Sequence, residues 1–454
     1  MRLIIVGGGI SGLSLAYFLL ELDPSLDILV LESEKKPGGK IWTNRADGFL
    51  CEGGVNGFLD NKPKTLELSA KLGLTPLRSN NAARKRFIFS EGKLHALPES
   101  PLSFFSSNLL SLYGRMRILY EILVPKGEKK EESLADFAKR RLGKEAYEIF
   151  IDPMASGIYA GDPETMSLKS CFPRIYELEN KYGSLIKAMI KLQREAKKTG
   201  KTVGPGPRGV LTSFYDGMEV FIKTLEKSLE GRLRTNSTVV SIDKKGNNYL
   251  VFLSDNSTLE AKGIIIATPA HNAAEMARDF NRELSLTLKE IPFPPVSVVC
   301  LGYRKEKIKQ SLDGFGFLVP KRENRKILGT LWDSSIFPNR AAEGYVLLRS
   351  MLGGAKAPEL ALQDESKLTH MVMKDLRDIM DIKEEPDFVK VFKHVKGIPQ
   401  YLLGHGSRLE VIERIVSKYR GLYITGNSYR GIGVNDCIEN SYKLAVRVIS
   451  DLKS

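Results

Sequence analysis

MRLIIVGGGISGLSLAYFLLELDPSLDILVLE, residues 1–32, decides how the rest of the chain is read. An apolar, β-branched run at 3–6 leads into Gly7-Gly8-Gly9-Ile10-Ser11-Gly12, then into an apolar-periodic segment reaching Leu22, then into a second β-like run at 27–31. The order is strand, turn, helix, strand. Each glycine has a task in such a unit. Gly7 permits the tight turn, Gly9 lets backbone approach a pyrophosphate, and Gly12 allows close helix–strand packing, with the phosphate on the helix N-terminus. Glu32 follows Gly12 by twenty residues, at the end of the second strand, where a carboxylate can accept hydrogen bonds from a ribose. The spacing predicts a dinucleotide-binding βαβ unit.

Residues 3–20 are also an uncharged run of eighteen behind an arginine, the length of a spanning helix or signal peptide. Glycines at fingerprint spacing and the strand that follows argue against both, so the chain is expected to start inside the fold. No other segment approaches spanning length without charges, and the expected address is the cytoplasm, at the inner face of the membrane as a peripheral protein.

With 454 residues, two or three domains are expected, and 42% hydrophobic content can support them. Cys51, Cys171, Cys300 and Cys437 lie far apart without metal spacing and read as free thiols. The net charge of +14 is uneven: residues 84–145 hold thirteen Lys/Arg against eight Asp/Glu, and 181–208 hold eight against one. Such a surplus suits an anionic partner. No nucleic-acid signature accompanies it, so a membrane surface and a carboxylate-bearing substrate are favoured, with a merely solvated basic face as the alternative.

Beyond Glu32, Gly38-Gly39-Lys40 would bring backbone to the cofactor a second time, a sequel more typical of FAD than of simple NAD enzymes. Glu52-Gly53-Gly54-Val55-Asn56-Gly57 is a turn with no Cβ to obstruct a flat ring. Phe87-Ile88-Phe89 after Arg84-Lys85-Arg86 reads as a basic-flanked hairpin. A helical region then runs to about residue 200, in which Phe104, Phe105, Leu109, Leu110, Leu112 and Tyr113, with Arg115 and Arg117, fit either an amphipathic membrane-facing surface or simple core. Residues 201–209 read as a linker. A helix to about Leu229, strands at 233–242, 249–253 and 263–267, a β-rich block at 280–400 with a helix near 365–382, and a strand at 421–427 before a terminal helix complete the reading. The helix-start backbone after Gly431 is placed to face a flavin's electron-rich edge. The five histidines show no metal spacing and no triad arrangement, so no metal is expected.

Taken together, these pieces resemble the flavin-dependent amine oxidase superfamily and, within it, the oxygen-dependent protoporphyrinogen and coproporphyrinogen III oxidases. The phrases that carry the resemblance are Ser156-Gly157-Ile158-Tyr159-Ala160-Gly161-Asp162-Pro163, Gly314-Phe315-Gly316-Phe317-Leu318-Val319-Pro320, Ser334-Ser335-Ile336-Phe337-Pro338-Asn339-Arg340-Ala341 and Gly431-Ile432-Gly433-Val434-Asn435-Asp436-Cys437-Ile438. The resemblance implies an α/β fold: a discontinuous, Rossmann-like FAD domain (1–80, 201–280, 405–454), a helical membrane-associating domain (81–200) and a mixed α+β substrate domain (281–404). It further implies that Gly7, Gly8, Gly9, Ile10, Ser11 and Gly12 hold the pyrophosphate and that Glu32 and Ser33 hold the ribose. Gly39, Lys40, Gly54, Val55, Asn56 and Gly57 would approach the flavin, Val239 the adenine side, and Asn427, Ile432, Gly433 and Val434 the flavin from the terminal loop. Trp42 competes with Lys40 for that contact.

For a porphyrinogen substrate, the resemblance places Arg86 to pair with a propionate, Leu318 and Phe337 to sandwich the macrocycle, and Asn56 and Gly157 beside its centre. Core packing is the alternative for Leu318 and Phe337, and an ordinary surface cation for Arg86. The implied reaction removes six hydrogens in three two-electron cycles, with FAD as cofactor and molecular oxygen as acceptor. No acid–base residue is assigned. A homodimer and hand-off of product to a ferrochelatase are compatible with the family. An amine oxidase or carotenoid desaturase would share the FAD parts but should lack the 156–163 and 314–320 phrases.

Overall fold

The computed structural model describes residues 2–98, 107–127, 130–199 and 209–453. Its first sheet is built from the continuous apolar runs, which are buried on both faces as parallel strands covered by helices must be. Five parallel strands lie in the order Leu233–Arg234, Asp27–Leu31, Arg2–Val6, Gly263–Ile266, Leu422–Ile424. Widely separated segments therefore deliver their carboxyl ends, Gly7, Glu32, Ala267 and Thr425, to one edge of the sheet, where ligands of open α/β sheets bind. The helix Ile10–Leu22 is buried along most of its length because the terminal helix Val434–Lys453 covers it: Ser441 Oγ donates to Ser11 O at 2.8 Å, and the Phe18 and Tyr442 rings meet edge-on at 5.3 Å.

A second sheet of seven strands runs Phe388–His394, Val296–Arg304, Tyr345–Gly353, Ile327–Leu331, Gly316–Leu318, Arg86–Ser90, Lys93–Ala96. The helix Glu365–Met380 packs Leu368, Val372, Leu376 and Ile379 into its core. The hairpin expected after Arg86 is present, and Arg86–Ser90 pairs in parallel with Gly316–Leu318, so it extends this sheet. The run at 233–242 is likewise two strands in two sheets, divided near Asn236, which adopts a left-handed φ of 49°.

The helical region between the sheets is tied by buried charge. Arg141 is fully buried, donating to Glu179 at 2.7 Å, to Glu121 at 3.2 Å and to the carbonyls of Val124 and Gly183. Glu121 in turn accepts from Leu185 N and Ile186 N, capping the helix Leu185–Thr199. The expected apolar stripe divides here. Leu109 and Leu110 are core, packed with Ile88, Ala146 and Ile149, whereas Leu112 and Tyr113 are 74% and 78% exposed. Phe104 and Phe105 lie outside the described residues. Among the described residues, no helix is long and apolar enough to cross a membrane.

Candidate flavin and substrate site

At the sheet's carboxyl edge, Gly7 turns with a φ of 112° and donates to Leu31 O at 2.8 Å. A Cβ on Gly12 would stand 1.9 Å from Gly7 O, so helix and strand approach only because that atom is missing. Gly9 and Gly39 face each other, and a Cβ on Gly39 would meet little besides Gly9 Cα at 3.5 Å. Between them is a cradle lined by backbone. The helix starting at Ile10 has no side-chain cap and no acid in its first turn, so its N–H groups are free to receive a phosphate.

Glu32 is buried beneath this loop. Its Oε2 accepts from Gly8 N at 2.8 Å and its Oε1 from Glu34 N at 2.9 Å and Ser33 Oγ at 3.1 Å, which fixes the carboxylate at the strand end while lone pairs remain for a ribose. Ser237 N donates to Glu32 O, and Val239 is buried two residues further on, so the structure brings both positions together. The open glycine cradle, the uncapped helix and the oriented carboxylate fit the diphosphate and ribose of FAD.

The loop at 53–57 uses glycine differently from the expectation. A Cβ on Gly54 would lie 2.4 Å from Lys40 O, and one on Gly57 would lie 2.5 Å from Thr212 O. The chain's own carbonyls occupy the space a Cβ would take at these two positions. Lys40 donates to Lys396 O, and burial lowers its ammonium pKa. Trp42 stacks on His394, whose Nε2 lies 2.8 Å from Gly53 O. Lys40 and Trp42 thus both brace this loop. Burial, reinforced by Lys396 and Lys40, pushes His271 down to about 4 and keeps it neutral. His95, His394 and His405 each bond a backbone carbonyl, as structural histidines do.

In the terminal loop, Tyr401 donates to Asn427 O at 2.5 Å. Val434 is buried in the same core as Ile10. Gly433 N donates to Asp436 Oδ2 at 3.3 Å, so the helix start is partly capped by its own carboxylate. Ile432 packs against the helical region.

Of the substrate positions, Gly157 and Leu318 meet: a Cβ on Gly157 would lie 2.7 Å from Leu318 Cδ2. Arg86 is exposed at the start of its strand, its guanidinium 5.2 Å from the Phe315 ring centre. Phe337 takes the alternative left open for it, core packing. It is fully buried with Ala83 and Ile336, its ring 4.7 Å below Arg340, because the short helix Asp333–Ile336 turns it into the core.

Behind the 53–57 loop lies a group that motif reading missed: Glu52, Asp333, Arg340 and Arg349, all buried. Arg349 Nε is 3.1 Å from Asp333 Oδ2, and its Nη1 donates to Glu52 O at 3.2 Å and Gly54 O at 3.1 Å. Arg340 lies 3.7 Å from Glu52 Oε1, which also accepts from Met218 N at 2.7 Å. Burial pushes Glu52 up to about 7 despite Arg340 and pushes Asp333 upward against Arg349. The available signal was an arginine inside the apolar strand Tyr345–Gly353.

The fold and cradle define a flavin oxidoreductase, and the chain belongs to the family described as flavin containing amine oxidoreductase, which matches residues 10–449. Its cofactor is FAD. The chain is 31% identical over 453 residues to coproporphyrinogen III oxidase of Bacillus subtilis (strain 168), covering 96% of each. It is 33% identical over 473 residues to chloroplastic protoporphyrinogen oxidase of Oryza sativa subsp. japonica, covering 98% of this chain and 87% of that one. A crystal structure from Exiguobacterium sp. 255-15, provisionally assigned as a protoporphyrinogen oxidase, superposes with a TM-score of 0.85 at 26% identity, covering 100% and 99% of the two chains.

Proposed function

We propose that this enzyme oxidises protoporphyrinogen IX to protoporphyrin IX in heme biosynthesis, consuming three O2 and releasing three H2O2 per macrocycle. The observation that carries the reading is the contact of Gly157 with Leu318, which joins two phrases far apart in the chain into one wall without a side chain at 157. Bound FAD supplies a two-electron acceptor that oxygen regenerates. The chain's part is to bind and orient. Arg86, exposed at the start of its strand, offers a fork to a propionate, and Leu318 offers an apolar face to the macrocycle. Coproporphyrinogen III is the second reading, favoured by the similarity to the Bacillus subtilis enzyme.

Anaerobic mixing of the purified enzyme with each porphyrinogen separately, followed by aeration, tests this. Flavin bleaching followed by porphyrin fluorescence is expected, and the faster substrate decides between the two. A yellow protein inert to both overturns the reading.

The exposed residues Leu112, Tyr113, Met116, Tyr120 and Leu123 form an apolar face beside the basic helix Leu185–Thr199, which carries Lys187, Lys191 and Arg194. This combination suits docking on an anionic membrane surface. Leu112→Glu with Tyr113→Glu should abolish sedimentation with anionic vesicles while leaving turnover of dissolved substrate intact, and undiminished sedimentation would reject the surface.

A further inference from the structure

The helix Asp152–Tyr159 carries Gly157 to the strand Gly316–Leu318. There the Leu318 side chain is held between two glycines: a Cβ on Gly157 would lie 2.7 Å from its Cδ2, and one on Gly329 would lie 3.0 Å from the same atom. Gly157 and Leu318 both remain partly exposed, so a ligand can reach this wall. With a helix on one side and a strand on the other, the placing of the helix sets where Leu318 points.

Asp152, in the first turn of that helix, is buried. Its Oδ2 accepts from Lys321 N at 3.0 Å, just beyond Leu318 in the chain, and its Oδ1 meets the Lys356 ammonium. Lys356 Nζ also lies 3.2 Å from Ser156 Oγ, one helical turn on and next to Gly157. Ala355, in the same turn after the strand Tyr345–Gly353, donates its N–H to Ala160 O at 2.7 Å. The helix is thus gripped at both ends, and one carboxylate joins it to the segment that bears Leu318.

The side chains of Asp152 and Lys356 are only 6% and 13% exposed. An ion pair so far from water gains little net stability, because desolvation offsets the attraction, but it can fix one register between the segments it joins. The register at stake here is that of Gly157 against Leu318. We propose that Asp152, paired with Lys356, is a positioning residue that holds the helix Asp152–Tyr159 against the Gly316–Leu318 strand, so that Leu318 presents one apolar face to the macrocycle. This rests on the proposed function.

Wild type, Asp152→Asn, Leu318→Ala and their combination, each loaded with FAD, are compared for porphyrinogen KM and kcat, Tm, FAD dissociation constant and the rate at which oxygen reoxidises dithionite-reduced flavin. Asparagine keeps an acceptor for Lys321 N but loses the ion pair with Lys356. Asp152→Asn should raise KM about threefold to tenfold, the range of one lost hydrogen bond, with FAD affinity and reoxidation unchanged. An unchanged kcat is also expected, since a contact made equally in the ground and transition states moves KM alone. The double variant should raise KM no more than the larger single effect, because the aspartate acts through the leucine. If Asp152→Asn strands Lys356 and fails to fold, Asp152→Asn with Lys356→Gln removes both charges together and takes its place in the cycle. KM unchanged while Tm falls would reduce the pair to a stabilising contact and overturn the positioning role. KM effects that multiply in the combination overturn it as well, as does weakened FAD binding or slowed reoxidation in Asp152→Asn. A wild type inert to both porphyrinogens overturns the proposed function and this inference with it, whereas active wild type with an unmoved KM in Asp152→Asn overturns this inference alone.

Discussion

The loops at 7–12 and 53–57 look alike as sequence, yet they use glycine for different reasons. At 7–12, Gly9 opens onto little besides Gly39 Cα at 3.9 Å, so the missing side chain leaves room for a ligand. At Gly54 and Gly57 the room is already taken by the carbonyls of Lys40 and Thr212. Gly12 belongs with the second kind although it lies in the first loop. A glycine-rich motif thus marks close approach, and only the folded chain says whether a ligand or the protein itself approaches.

Substitutions can break or sharpen that contrast. The largest effect is expected at Gly12, where alanine must displace the Gly7 carbonyl: Gly12→Ala should lose more than about 3 kcal/mol of stability in denaturant unfolding. Gly9→Val, by contrast, should fold with near-native circular dichroism but purify colourless, and a yellow variant would reject the phosphate cradle. Gly54→Ala comes next, with about 1–3 kcal/mol lost to overpacking and a lowered Tm, while flavin is retained at saturating FAD because the 7–12 cradle is untouched.

Smaller effects bear on the substrate side and the buried charges. Arg86→Ala should raise porphyrinogen KM about tenfold, the worth of one charge-assisted contact, and leave the FAD dissociation constant unchanged. An unchanged KM would sink that role. The smallest effect concerns Glu52, whose folded pKa of about 7 lies above its ordinary 4.5. Its contribution to stability is full below pH 4.5 and is lost as pH rises through 7. Glu52→Gln should therefore flatten the fall of Tm between pH 5 and 8, and parallel curves would show that Glu52 does not titrate there.

Much of the sheet was legible because its signals are local. The strands at 2–6, 27–31 and 263–266 are uninterrupted apolar runs, and the first turn carries its glycines at fixed spacing. The strand Phe388–His394 escaped notice because its charged residues break the alternation. The helix His405–Val416 was missed since its first turn lacks an N-capping side chain. For Phe337 the sequence leaves substrate contact and core packing both open, because an aromatic in a family phrase does not reveal which way a four-residue helix turns it.

The sequence by itself determined the βαβ cofactor unit, the cofactor class and the family phrases, because backbone conformation and strand or helix periodicity are set by neighbours in the chain. Only the tertiary structure decided that the 86–96 hairpin joins the large sheet, that Leu109 and Leu110 part from Leu112 and Tyr113, and that Glu52, Asp333, Arg340 and Arg349 share one buried site. A buried charge persists only where an opposite charge or hydrogen-bond partner meets it, and here Glu52 meets Arg340 from a segment far away in the chain. That meeting is a property of the folded chain.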